Sequence, residues 1–250
     1  RLPELAADLV QRRVDAIVVI GWAATQAVKN ATSIIPIITA GAGDAVGTGL
    51  VASLPRPGAN LTGFSDMGVE LAAKRLELLK EMVPKASRIA IMWNQDDLGM
   101  TLRYREVDRA ARVLGVTVQA LGVREPDDFG VAFSAMARER PDALFLVTDV
   151  LTSLNRKRVM EFAETHRIPA MYEFSSFVQD GGLMSYGPSV DERFRRTAYY
   201  VDRILKGAKP ADLPMEQPTR YYLFINLKTA KALGIKIPGA IMLRVDKVIE

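Results

Sequence analysis

Leu2, Leu5, Ala6, Leu9 and Val10 recur at the three- and four-residue spacing of one helix face, so the chain opens on an amphipathic helix. Val14 to Ile20 then reads as a strand buried on both faces, of the sort found inside a parallel sheet. A helix over Ala23 to Ala31 and a strand over Ile35 to Thr39 follow. The loop Ala40-Gly41-Ala42-Gly43-Asp44 leads into an expected short helix that ends before Pro55. Pro55, Pro57 and Gly58 break the pattern before a short strand, Leu61 to Phe64. This half shows fewer strands than an average sheet carries, so a strand, a helix and a further strand are expected on its N-terminal side.

From Glu70 the alternation becomes regular. Helices are predicted over Glu70 to Met82, Thr101 to Leu114, Asp127 to Arg138 and Leu154 to Thr165. Between and after them come strands over Arg88 to Trp93, Thr117 to Leu121, Ala143 to Thr148 and Ile168 to Tyr172. Strands this far apart cannot form hairpins; they force right-handed crossovers and a parallel sheet covered by helices. Leu183 to Tyr186 adds a strand and Asp191 to Leu205 a long helix. After the Pro-punctuated stretch Lys209 to Pro218, Arg220 to Ile225 reads as another strand. The expected fold is α/β, with two doubly wound lobes.

Composition narrows the class without changing this picture. With 250 residues, 49% hydrophobic and 25% charged, the chain matches a folded globular protein rather than a disordered or fibrous one. No apolar run approaches the roughly 18 residues a membrane-crossing helix needs. The net charge of +4 is spread along the chain, which argues against nucleic acid as a partner. Arg103 to Arg112 and Arg193 to Arg203 interleave basic and acidic residues and read as solvated helix faces. The absence of cysteine removes disulfides, thiolate metal sites and thiol nucleophiles. His166, the single histidine, closes a helix and suits its negative dipole end. No catalytic constellation, metal site or cofactor motif is expected; Gly41, Gly43, Gly47 and Gly49 lack the Gly-Lys-Ser/Thr of a phosphate loop.

Ligands meet open parallel sheets at the carboxyl ends of their strands, where helix N-termini and free amides converge. That rule selects Trp22, Ala24, Thr25, Gly43 and Asp44 in the first half, and Trp93, Asn94, Thr148, Asp149, Tyr172 and Glu173 in the second. Asp44, Thr25 and Asp149 are equally good helix N-caps, and Trp93 could be core with a satisfied indole. Asp149 and Glu173 could do acid–base work, or a carboxylate could hold a ligand ammonium.

The stretches RLPELAADLV (1–10), ATSIIPIITAGAGDAVGTGLVASLPRPGANLTGFS (31–65), KRLELLKEMVP (74–84), RPDALFLVTD (140–149), GGLMSYGPSVDERFRRTAYYVDRILKGAKPADLPMEQPT (181–219) and INLKTAKALGIKIP (225–238) carry a resemblance across the whole chain. In order and spacing the chain resembles the ABC transporter substrate-binding proteins, a family with tryptophan- and other aromatic amino acid-binding members. The resemblance implies a type I periplasmic binding protein, with two lobes joined by three crossovers that close like a hinge. Lobe one would be residues 1–66 plus 188–221, and lobe two 67–187 plus 222–250. It further implies a small-molecule ligand, an ABC permease partner, a monomer, and a periplasmic or lipid-anchored location with a leader upstream of Arg1. Ala24 and Thr25 would suit a ligand carboxylate, Asp44 or Asp149 an ammonium, and Trp22, Trp93 and Tyr172 an aromatic or apolar side chain. An amino acid or aromatic carboxylate is the solute these loops favour. Two other functions stay open: the effector-binding domain of a lactose-repressor-type regulator, and a small-metabolite enzyme.

Overall fold

The structure is a computed structural model that describes residues 1–250. In chain order the first elements are α1 (Leu2–Gln11), β1 (Ile17–Val19), α2 (Trp22–Ala31), β2 (Ile37–Ala40), β3 (Leu61–Phe64), α3 (Ala72–Met82), β4 (Arg88–Asn94) and α4 (Leu98–Val113). They are followed by β5 (Thr117–Val123), α5 (Asp128–Arg138), β6 (Ala143–Leu146), α6 (Val150–Leu154), α7 (Arg156–Thr165), β7 (Ala170–Tyr172), α8 (Ser175–Gln179) and β8 (Met184–Pro188). The last are α9 (Val190–Leu205), β9 (Tyr221–Asn226), α10 (Leu227–Ala232), α11 (Gly239–Met242) and β10 (Lys247–Ile249). The chain divides into two units: residues 1–68, 97–99 and 188–220, and residues 69–96, 100–187 and 221–250.

Unit one is built on the three-stranded sheet β1-β2-β3, parallel throughout. Ile17, Val19, Ile37 and Leu61 face one core with α1 and α2, while Ile38 faces Tyr200 and Ile204 of α9 on the other side. The helix expected after Asp44 is absent; the segment is a run of turns. Asp44 accepts the Gly47 N–H at 2.7 Å, so its side chain offers the backbone an alternative to helix, and Gly47 and Gly49 favour the turn.

Unit two carries a seven-stranded sheet in the order β10-β9-β8-β7-β6-β4-β5. The strand alternation sorts its side chains cleanly. Ile89, Ile91, Trp93, Phe145 and Met171 enter one core, and Ala90, Met92, Leu144, Leu146 and Tyr172 the other, as period-2 side chains must. The sheet is mostly parallel. At β9 the direction reverses: the Asn226 N–H bonds the Leu183 carbonyl at 2.9 Å, while the Tyr221 and Tyr186 rings lie 6.1 Å apart, so β8 and β9 run antiparallel. Sequence pattern also misses α8, the small C-terminal helices and β10. It starts the helix before β7 too late: α6 begins at Val150, and Asn155 separates it from α7.

One carboxylate ties the strand starts of unit two together. Asp142 accepts the N–H groups of Ser87 and Arg88 at 2.7 and 2.9 Å, and these bonds hold its pKa below the usual carboxylate range. A lowered folded pKa stabilises fully above the unfolded value of about 3.9, and the gain is lost as pH falls through the folded value. Asp142→Asn is therefore expected to lessen the acid-side drop in stability, read as a flatter thermal midpoint between about pH 5 and pH 2 in calorimetry. An unchanged acid limb would remove Asp142 from that role.

Candidate functional site

The carboxyl ends of the unit-one strands are bound together by their own backbone. Gly21, at φ 82°, caps α2 and donates its N–H to the Gly41 carbonyl at 2.9 Å. Thr25 is fully buried; its hydroxyl donates to the Gly21 carbonyl at 2.7 Å and lies 3.3 Å from the Thr39 hydroxyl. Ala24 stands beside it on the first turn of α2, and Trp22, half-buried on the unit-one core, has a buried indole N–H without a protein acceptor. Gly43 offers its carbonyl to the Ser65 hydroxyl at 2.9 Å. Next to this shelf lie two buried charged residues that sequence reasoning did not select, Asp66 and Arg193. A Cβ on Gly41 would stand 3.1 Å from Nη1 of Arg193, a tight approach, and 3.6 Å from Oδ2 of Asp66, an ordinary contact, so the glycine makes room for the arginine at the end of β2.

The corresponding ends in unit two are more highly charged. Asn94 donates its amide to Asp149 Oδ2 at 2.7 Å. Oδ1 of Asp149 accepts the Thr152 N–H at 2.9 Å, closing a capping box at the start of α6. Asp149 is thus a cap that keeps one oxygen turned to Asn94. Thr148, just before it, is buried. Trp93 is core: its ring stacks on Tyr104 at 3.8 Å, and its indole N–H donates to the Thr101 hydroxyl at 3.3 Å.

Glu173 follows β7 and is 1% exposed. Oε1 accepts from Nη1 of Arg75 on α3 at 3.1 Å, and Oε2 from Nη1 of Arg103 on α4 at 2.5 Å. Nε of Arg75 also donates to the Tyr186 carbonyl at 2.7 Å. Two buried guanidinium groups thus share the Glu173 carboxylate. Tyr172, the neighbour of Glu173, points to the opposite face of the sheet and stacks on Phe177 at 5.0 Å.

The solvated-face reading of the arginine-rich helices needs correction at its two leading residues. Arg109 and Arg112 are exposed and paired with Glu106 and Asp108, but Arg103 is 2% exposed and Arg193 8%. The signal was present in register. Arg103 precedes Val107 and Ala111 on the buried stripe of α4, and Arg193 precedes Thr197, Tyr200 and Ile204 on that of α9. His166 ends α7, its ring 4.0 Å from that of Phe162 and its Nδ1 2.9 Å from the Phe162 carbonyl. No group of three His, Cys, Asp or Glu side chains comes close enough to hold a metal ion.

Comparison with known proteins covers both units. The sequence profile of the ABC transporter substrate binding protein family matches residues 2–249. A tyrosine-binding protein of Clostridioides difficile is 28% identical over 233 residues, which is 93% of this chain and 66% of the relative. The chain therefore spans just under two thirds of that relative's length. An ABC domain from Streptococcus pneumonia, solved in complex with L-Trp, is 27% identical and superposes with a TM-score of 0.90 over 99% of this chain and 85% of its own. A conserved domain protein from Vibrio cholerae is 28% identical, with a TM-score of 0.92 over 99% and 82% of the two chains.

Proposed function

Since the chain belongs to the family of ABC transporter substrate-binding proteins, we propose that it is the extracytoplasmic receptor of an importer, capturing an aromatic amino acid and handing it unchanged to a membrane permease. The observation that carries this reading is the family match running from residue 2 to residue 249, through both sheets and both sets of carboxyl-end loops. The fold is the type I periplasmic binding protein fold. The family and the relatives are binding proteins rather than enzymes. The ligand class is supported by relatives described as tyrosine-binding and as an L-Trp complex.

On this reading the N-terminus of α2, with Ala24 and Thr25, receives the ligand carboxylate, because its first amides have no intrahelical acceptor. Gly43 lets the backbone approach the ligand, and Asp44 or the outward oxygen of Asp149 with Asn94 receives the ammonium. Trp22 supplies a ring whose indole N–H still wants an acceptor. Glu173 acts through Arg75 and Arg103, whose positions it holds.

Interactions that a ligand makes only with the closed hinge would shift the population toward the closed form. Saturating L-tyrosine or L-tryptophan, at about one hundred times Kd, is therefore expected to stabilise by about 2.7 kcal/mol, raising Tm by roughly 5–10 °C. The radius of gyration in X-ray scattering should fall at the same time. Aromatic amino acids that leave both Tm and scattering unchanged would end this assignment.

A further inference from the structure

Unit two contains a cavity of about 910 Å³ on the face of the sheet away from Glu173, sharing only Tyr172 with the residues considered above. It lies between α7 and α10, and its floor comprises Ile168 and Ala170 at the start of β7 and Gly182 and Leu183 just before β8. This is the amino-terminal side of those strands, whereas the loop shelf follows their carboxyl ends. The volume falls within the range of about 300–1,000 Å³ usual for small-molecule sites.

The floor holds one unusual group. Tyr172 is 1% exposed as a whole residue and lines the cavity, and its hydroxyl, which bonds no protein group, keeps its accessible surface there. Gly182 makes room for the ring, since a Cβ there would stand 2.5 Å from Cε2 of Tyr172. A phenol whose ring is buried and whose hydroxyl alone reaches a cavity is placed to donate to whatever fills it. Burial also pushes its pKa up, so it stays a protonated donor at physiological pH. Met160, Ala163 and Leu233 add apolar wall on either side. Around the rim Arg156 and Asp180 pair at 3.0 Å, and Lys157, Arg167 and Lys228 then stand against Glu161 and Glu164, one cation in excess.

We infer that this cavity is a second ligand site, taking a small monocarboxylate with an apolar body: the body lies along Met160, Ala163 and Leu233, and the carboxylate accepts from the Tyr172 hydroxyl under the cationic rim. The site does not depend on which solute the loop shelf binds.

Octanoate is the probe, with octylamine of the same chain length as the charge-reversed control, followed through the labelled Met160 methyl resonance. Octanoate should produce a saturable shift, with octylamine binding at least tenfold more weakly. Tyr172→Phe should weaken octanoate about tenfold, as loss of a hydrogen bond to a charged group does. Ala232→Trp, on an exposed helix position at the cavity wall, should abolish octanoate binding and leave L-tyrosine binding unchanged. Lys228→Glu, also exposed, should weaken octanoate several-fold and provides the same test should the tryptophan disturb folding. Equal octanoate affinity in the parent and in the variant that folds, equal binding of octylamine, competition between octanoate and L-tyrosine, or no saturation into the millimolar range would each overturn the site.

Discussion

Glu173→Ala is expected to cost unit two about 3–5 kcal/mol, because it strips the shared carboxylate from two buried guanidinium groups. Arg75 and Arg103 are 1% and 2% exposed, so water cannot replace the lost anion without opening the core around α3 and α4. Each arginine has further interactions, but both bond this one carboxylate, so its removal leaves an unmet donor on each of them. Glu173→Gln, which keeps an acceptor oxygen and removes the charge, should fall between the parent and Ala. The measurement is a urea titration in a Trp22→Phe background, where Trp93 reports on unit two alone. A midpoint shift worth less than about 1 kcal/mol would mean that the triad is not what holds α3 and α4 to the end of β7.

Gly63→Ala should be comparably damaging to unit one, for a backbone reason. Gly63 lies in β3 opposite Thr39 of β2, at φ 134°, a conformation side chains rarely adopt. A Cβ there would stand 2.2 Å from the Thr39 carbonyl oxygen and 2.6 Å from its nitrogen, atoms that cannot rotate aside. The two strands must part, and strain plus overpacking amounts to roughly 3 kcal/mol or more. Gly58→Ala is the control: it has φ 73° but nothing within 4 Å, so only the conformational cost of about 1 kcal/mol applies. In a Trp93→Phe background the Trp22 signal should show the unit-one transition collapsing for Gly63→Ala and shifting by only about 1 kcal/mol for Gly58→Ala. Equal behaviour of the two variants would sink the steric account.

Much of the candidate site could be read in advance, because its residues are defined by strand ends, and strand ends follow from local pattern. Thr25, Asp149 and Glu173 all stand where the carboxyl-end rule puts them. Their partners could not be read in the same way. Arg75 and Arg103 reach Glu173 from helices 98 and 70 residues away in sequence, and no local pattern links such distant positions. Burial of Arg103 and Arg193 was concealed by chemistry. An arginine on an apolar stripe looks like a misplaced surface residue until the acid or carbonyl that satisfies it is known. The Asp44 turn shows the reverse failure: the local composition is plain, but composition does not reveal that the carboxylate and the helix compete for the same N–H group.

The hydrophobic period and the spacing of turn residues by themselves determined the α/β alternation and the parallel crossovers. Those are short-range properties, set by which face of each element must leave water. Tertiary structure alone decided the reversal of β9, the two arginines gathered on Glu173, and the unpartnered phenol of Tyr172 over its own cavity. Each of these depends on where distant backbone segments come to rest, and that is settled by the packing of whole elements rather than by the preference of any one residue.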